Sequence, residues 1–128
     1  MTASVRSAAL RGVEAVGLDV VVEVASHGAP AFHVEGVHPA AVRESAVRVR
    51  SALARAGFPL PPRVVVHVTP PDVPICAPAL DLQVAIGVLI ATGQLPPAAL
   101  DGIVLVGELA LDGELRRVAG ALPIAHHA

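Results

Sequence analysis

The stretch Pro78-Ala-Leu-Asp-Leu-Gln-Val-Ala-Ile-Gly-Val-Leu-Ile-Ala-Thr-Gly93 decides the fold, because it is strongly apolar and carries helix signals at both ends. Proline is common in a first helical turn, and glycine is common just past a helix C-terminus. Leu82, Ile86 and Leu89 recur at helical spacing. We therefore predict a helix over residues 78–93, and because it is apolar nearly all round, we expect it to be covered on more than one side.

Asp81 is the carboxylate near the start of this predicted helix. A carboxylate in an apolar setting could act as a general base or as a nucleophile. It could also accept backbone N–H bonds in the first helical turn, where the helix dipole favours an anion. We interpret Asp81 as a structural helix-start carboxylate and predict no catalytic residue in the chain.

Apolar alternation and helical periodicity outline the remaining elements in the order β-β-β-α-β-α-β-β-(α). The segments 18–26 and 31–36 are separated by a short turn, which predicts an antiparallel hairpin between them. Asp112-Gly113 predicts a second hairpin near the C-terminal end of the sequence. The six predicted strands are residues 4–11, 18–26, 31–36, 63–69, the short apolar segment 103–106 continuing directly into 107–111, and 114–118. The other predicted helices are residues 40–56 and a segment from 120 onward.

Composition excludes several classes of function. The length of 128 residues fits one domain, and the formal net charge of -2 gives no overall electrostatic case for nucleic acid. Aromatic residues make up only 2% of the chain, so base-stacking platforms are nearly absent. All nine basic residues are arginines. Without lysine, the chain itself cannot form a phosphate-binding P-loop, a Ser–Lys dyad or a Schiff base.

The best candidates for partner contacts are arginines on the predicted helix over residues 40–56. Arg43 and Arg50 are seven residues apart and should lie on nearly the same face. They could bind DNA phosphates or an acidic surface of a neighbouring subunit, or they could form a solvated helix face. The full candidate set is Arg43, Arg48, Arg50 and Arg55.

The histidines, the acidic hairpin and the single cysteine are weaker candidates. The histidines at 33, 38 and 67 show no metal-ligand spacing, and carboxylates in a turn, such as those of Glu108, Asp112 and Glu114, are usually solvated. Cys76 precedes a helix start but has no evident cationic partner, so we expect an inert thiol. His126-His127 is expected to lie on a helix surface, and we predict no metal site.

Four stretches of the chain together carry a resemblance to a known family. They are residues 36–53, with Gly36-Val-His-Pro; residues 56–72, with Gly57-Phe-Pro-Leu-Pro-Pro; residues 80–89, with Leu80-Asp-Leu-Gln; and residues 107–123, with Gly107-Glu-Leu-Ala-Leu-Asp-Gly. In this order the chain resembles the N-terminal domain of the Mg-chelatase-like AAA+ ATPases, the YifB/ComM competence-protein family. The resemblance covers nearly the whole chain.

The resemblance implies a fold and a non-catalytic role. The fold would be the α+β, ribosomal protein S5 domain 2-like fold of the Lon protease domain and the RadA C-terminal domain, with a mixed sheet and helices on one face. Residues 1–128 would be one such domain, a fragment from the N-terminal part of a longer AAA+ protein. Where Lon has its serine and lysine this chain has neither, so the Lon dyad is excluded.

The resemblance also implies partners and cofactors for a longer parent protein. That parent would be a cytoplasmic, hexameric ATPase that uses ATP and Mg²⁺ and acts in DNA branch migration, while this chain would bind no cofactor itself. Partners of the chain would be neighbouring subunits and DNA, with no membrane. The sequence departs from the family at Ile75-Cys76-Ala77, where Lys-Glu-Gly is frequent, and at His67, where Asn is frequent.

Two other functions remain open from the sequence. One is a free-standing protein-interaction module of the same fold. The other is a degenerate Lon-like hydrolase that would use Asp81 or Cys76.

Overall fold

The computed structural model describes residues 1–11, 14–71, 77–109 and 115–116. They form an α+β structure with two long helices. In chain order the elements are β1 (Thr2–Arg11), β2 (Glu14–Ala25), β3 (Ala31–Val34), α1 (Pro39–Arg55), β4 (Arg63–Thr69), α2 (Asp81–Ala91), β5 (Glu108–Leu109) and β6 (Leu115–Arg116), with 3₁₀ turns at Ala77–Leu80 and Pro97–Leu100.

The main sheet is mixed and has the strand order β1-β2-β4-β3. β1 and β4 both pair antiparallel with β2, whereas β3 runs parallel to β4. The predicted hairpin between the second and third strands is therefore wrong. β4 lies between them, with Val66 opposite both Val22 and Val34. Alternation predicts which face of a strand is buried, but it does not predict which strand is the neighbour.

One face of the sheet is buried and the other faces solvent. On β2, Val20 and Val22 are fully buried, while Asp19 and Glu23 on the alternate face are exposed. The alternation predicted for this strand is confirmed, and β4 follows the same pattern. Both helices contribute to the core on the buried face, through Val49 of α1 and Val84 of α2 among others.

α2 lies directly on the sheet because a glycine faces it. A Cβ atom at Gly87 would lie 2.5 Å from Cγ2 and 3.0 Å from Cβ of Val22. No real Cβ makes such a contact, so the helix backbone can reach this position only without a side chain. Gly93 has a φ of +79° just past the helix, as the predicted C-terminal glycine requires. The predicted central helix is confirmed, with its first turn in the 3₁₀ form.

The C-terminal segments differ in detail from the prediction. Residues 103–106 are not a strand, although the Leu105 N–H donates to the Arg6 carbonyl at 2.8 Å beside β1. β5 and β6 form a short antiparallel pair. The turn predicted at Asp112-Gly113 and the helix predicted from residue 120 lie outside the described residues.

Candidate functional site

Asp81 is fully buried and joins the two helices. Its two carboxylate oxygens accept hydrogen bonds from α1: one from the Ser45 hydroxyl and one from Nε of Arg48. Asp81 is 0% exposed and Ser45 only 1% exposed. The side chain that the sequence places at a helix start is thus the acceptor in an interhelical ion pair.

The predicted capping role of Asp81 is wrong in its detail. α2 has Leu80 at its N-cap, and no side chain caps the helix there. The Asp81 carboxylate lies in the first turn but is engaged by the two donors of α1. The Ser45 hydroxyl is buried and the Arg48 side chain is only 19% exposed, so both donors would lose their acceptor if the carboxylate turned to the amides of its own helix.

Burial raises the pKa of Asp81 above its ordinary value, while the hydrogen bonds from Arg48 and Ser45 act in the opposite direction. Glu108 on β5 adds a further contribution that raises the pKa. A carboxylate with both oxygens engaged and no exposed surface has no free approach for a substrate. The geometry therefore favours a structural role over catalysis for Asp81.

A second buried polar contact ties α2 to β1. Gln83 donates from Nε2 to the Ser7 hydroxyl at 2.7 Å, and both residues are buried. Among the described residues, Oε1 of Gln83 and Nη2 of Arg48 are buried atoms without a hydrogen-bond partner. Sequence reasoning missed Ser7, Ser45 and Gln83, although polar residues in apolar segments signal a need for buried partners.

The structure separates Arg48 from the other candidate arginines. Arg48 is bound to Asp81 and its side chain is 19% exposed, whereas Arg43, Arg50 and Arg55 are exposed. Val47, which lies between Arg43 and Arg50 in the sequence, is 51% exposed. Arg43, Val47 and Arg50 lie on one side of α1 and are called the arginine flank below. At 100° per residue, Arg55 lies about 120° around the helix from Arg43.

His67 links two carboxylates on the solvent face of the sheet. Its Nδ1 is hydrogen-bonded to Glu35, and its Nε2 lies 3.7 Å from Oε2 of Glu23. The hydrogen bond with Glu35 raises the pKa of His67 above its ordinary value, and the charge of Glu23 adds to this. We call Glu23 and Glu35 the carboxylate pair. The sequence did not predict this contact because Glu23 lies on β2, His67 on β4 and Glu35 just after β3, far apart along the chain.

The remaining sequence candidates have structural or undetermined positions. His38 accepts a hydrogen bond from the Ala40 N–H at 3.1 Å and thereby caps α1, while His33 is exposed. Within the described ranges, no group of three or more His, Cys, Asp and Glu residues is arranged to hold a metal ion. Cys76, Asp112, Glu114 and His126-His127 lie outside the described residues.

Two clefts open at the surface of the described structure. One, of about 570 Å³, is mainly apolar and lies between the N-terminus, the proline-rich loop and the end of α2, with Phe58, Leu60 and Leu89 in its wall. The other, of about 530 Å³, lies on the solvent face of the sheet beside Arg6, Asp19 and Asp101. Neither cleft adjoins Asp81.

Comparison with known proteins assigns the family. Residues 20–128 match the family described as subunit ChlI of Mg-chelatase. The chain belongs to this ChlI family. The competence protein ComM of Haemophilus influenzae is 41% identical over 122 residues, which are 94% of this chain and 24% of ComM. The protein YifB of Escherichia coli is 38% identical over 125 residues, or 97% of this chain and 24% of YifB.

The resemblance to the Mg-chelatase-like YifB/ComM proteins is thereby confirmed. A mycobacterial relative, Rv2897c of Mycobacterium tuberculosis, is 35% identical over 118 residues, which are 91% of this chain and 23% of that protein. This ChlI-family chain spans about a quarter of the length of the curated relatives that it matches. Within the described residues, neither helix has the length and apolar character needed to cross a membrane.

Proposed function

We propose that this chain is a non-catalytic accessory domain of a Mg-chelatase-like AAA+ ATPase, and that it positions neighbouring subunits or DNA around a motor located elsewhere in a longer protein. Membership of the ChlI family and similarity to a quarter of ComM and YifB support this proposal. The lack of lysine supports it too, since a P-loop would have to come from outside these residues. ATP and Mg²⁺ would bind to that other part.

The proposed fold is the ribosomal protein S5 domain 2-like fold. Support comes from three strands that precede α1, a fourth strand between the two helices, and a mixed sheet with one parallel pair. Both helices pack on the same face of this sheet. In a Lon-like site the start of α2 would carry the nucleophile, and here the Asp81 carboxylate is bound by Ser45 and Arg48.

The observation that carries the positioning role is the exposed arginine flank. Arg43 and Arg50 extend from a rigid, well-packed helix on either side of the exposed Val47. Guanidinium groups on a rigid element suit the recognition of carboxylates or phosphates. For the parent protein we propose a cytoplasmic hexamer that acts in DNA branch migration, as the resemblance to the Mg-chelatase-like AAA+ ATPases implies. The relative in Haemophilus influenzae is named a competence protein.

The test is a double charge reversal, Arg43→Glu with Arg50→Glu, in the full-length protein. We expect an unchanged circular dichroism spectrum together with at least a tenfold loss in subunit association or in DNA affinity. Arg6→Glu with Arg63→Glu is the matched control, because it changes the charge equally at exposed positions outside α1. Unchanged oligomer mass and unchanged DNA affinity in the flank variant would refute the proposal.

A further inference from the structure

The segment between β3 and α1 is joined to the sheet by few backbone contacts. In the described sheet, β3 is the four-residue edge strand beside β4. Just beyond it, the Glu35 N–H donates to the Val66 carbonyl at 3.0 Å, and the Val37 N–H donates back to the Val34 carbonyl at 3.3 Å. Gly36 has a φ of +79° and turns the chain toward α1. Because residues 35–37 have so little regular pairing, a side-chain contact can add substantially to their attachment.

His67 supplies such a contact. Its Nδ1 is hydrogen-bonded to the Glu35 carboxylate, and its Nε2 lies 3.7 Å from Oε2 of Glu23 on the opposite side. The His67 side chain is 41% exposed, so the imidazole can exchange protons with solvent while the sheet stays intact. In the protonated form, a positive charge lies between the two members of the carboxylate pair. In the neutral form this ionic attraction is lost, and the remaining Nε2 lone pair faces the carboxylate of Glu23.

Carboxylates predominate among the groups nearest to His67. The charged and titratable side chains that share the solvent face are Arg6 on β1, Asp19 and Glu23 on β2, His33 on β3, Glu35, Arg63 on β4, and Asp101 in the loop beside Asp19. Glu35 contacts His67 directly, and the strand registers make Asp19, Glu23 and His33 its diagonal neighbours. Arg63 lies four residues away on the same strand, at about 13 Å. This arrangement favours the imidazolium form.

We propose that His67 is a pH-dependent latch, a contact that holds residues 35–37 on the sheet more firmly in acid than in base. In the imidazolium form it attracts both carboxylates and holds Glu35 beside β4. Loss of the Nε2 proton to solvent removes this attraction, and residues 35–37 open more often. The hydrogen bond with Glu35 raises the pKa of His67 above its ordinary value of 6.5, and the charge of Glu23 adds to this. The latch is therefore at full strength below the ordinary pKa and weakens as the pH rises through the raised pKa.

The latch acts on the start of α1 and goes beyond the proposed function. Residues 35–37 lead into the first turn of α1, which His38 caps. Further along the helix, Arg48 is bound to Asp81 on α2. We expect the opening to end before Arg48, because this ion pair holds the middle of α1 independently of His67. The latch does not depend on which partner the arginine flank binds, so its failure would leave the proposed function standing.

Amide hydrogen exchange of the 128-residue chain, followed by NMR from about pH 5 to about pH 9, tests the latch. After correction for intrinsic exchange, protection of the Glu35 and Val37 amides should fall about threefold as the pH rises, the size typical of exposed ion pairs. Linkage requires the same factor from an imidazole titration, namely ten to the power of the difference between the measured pKa of His67 and its ordinary value. The Gln94 amide, which donates to Leu89 at the end of α2, should keep its protection.

Three variants complete the experiment. His67→Gln and Glu35→Gln each remove one partner of the contact, and both should abolish the pH dependence at positions 35 and 37. His33→Gln is the matched control, because it replaces an exposed histidine one strand away and should retain the wild-type response. Three results would each overturn the proposal: a pH dependence that persists in His67→Gln, an equal loss of protection at Gln94, or Glu35 exchange as slow as that of the slowest amides in β2. The last result would mean that residues 35–37 open only when the whole sheet unfolds.

Discussion

Replacing Asp81 by alanine should destabilise this protein more than any other single change at the helix interface. The substitution removes the acceptor of two donors from α1: the Ser45 hydroxyl, which is fully buried, and the Arg48 guanidinium, which is 19% exposed. Breaking a buried pair by removing one partner costs about 3–5 kcal/mol. Because Arg48 can regain some hydration, we expect about 3 kcal/mol, a large part of the 5–15 kcal/mol typical of a domain.

Urea unfolding followed by circular dichroism measures this loss. With an m value of about 1–3 kcal/mol/M, a loss of about 3 kcal/mol lowers the midpoint by about 1–3 M. Ser45→Ala is the milder control, because it removes one neutral donor while the ion pair remains, and we expect a loss of about 1 kcal/mol. A loss below about 1 kcal/mol for Asp81→Ala would refute the interpretation that this ion pair holds α1 on α2.

A fully apolar replacement separates the cost of burying the charge from the value of the pair. The triple variant Ser45→Ala, Arg48→Met, Asp81→Leu leaves no orphaned polar group, and we expect its stability to be within about 1 kcal/mol of the wild type or above it.

Burial raises the pKa of Asp81, so its folded-state pKa exceeds the unfolded value of about 3.9. The protonation of Asp81 therefore contributes to the free energy of unfolding. This contribution is fully present below the unfolded-state pKa and is lost as the pH rises through the folded-state pKa. Asp81→Asn should abolish this dependence.

Three further changes test other parts of the fold. Gly87→Ala should destabilise by about 1 kcal/mol in urea, because overpacking against Val22 outweighs the helix-propensity gain, and the same change should cost less in a Val22→Ala background. Glu35→Gln should lower the pKa of His67 in an NMR titration. The raised pKa of His67 adds to the free energy of unfolding, and this contribution is lost as the pH rises through that pKa. The variant should therefore lose less stability than the wild type over this pH range. His38→Ala should cost about 0.5–1 kcal/mol through the lost α1 cap, whereas His38→Asn should not.

Local patterns in the sequence predicted most elements. The strand Arg63–Thr69 has the predicted bounds, and α1 begins and ends within one residue of its prediction. Pro78 and Gly93 marked the ends of the central helical segment because proline and glycine restrict or free the backbone locally. The sheet order was not predicted, because a run of alternating valines pairs equally well with any similar run. Partner choice between such strands depends on loop paths and on which helix covers them.

Helical spacing predicted which candidate arginines lie side by side on α1, but it did not predict what surrounds each of them. Arg43 and Arg50 were placed together by helical spacing alone, and the structure shows both exposed on α1. Arg48 has the same residue type on the same helix, yet it faces Asp81. Residue type and spacing could not separate these arginines, because the difference depends on where α2 lies.

The sequence by itself determined the absence of lysine chemistry, the buried faces of β2 and β4 and the two helical segments, because these depend on residue type and on spacing along the chain. Only the tertiary structure decided the partners. It paired Asp81 with Arg48 and Ser45 across 33 and 36 residues of sequence, and it brought His67 between Glu23 and Glu35. Such contacts depend on packing between elements distant in sequence, where a buried carboxylate needs donors that no local pattern specifies. The central helix α2 is therefore joined to α1 through Asp81, because α1 supplies both donors to that carboxylate.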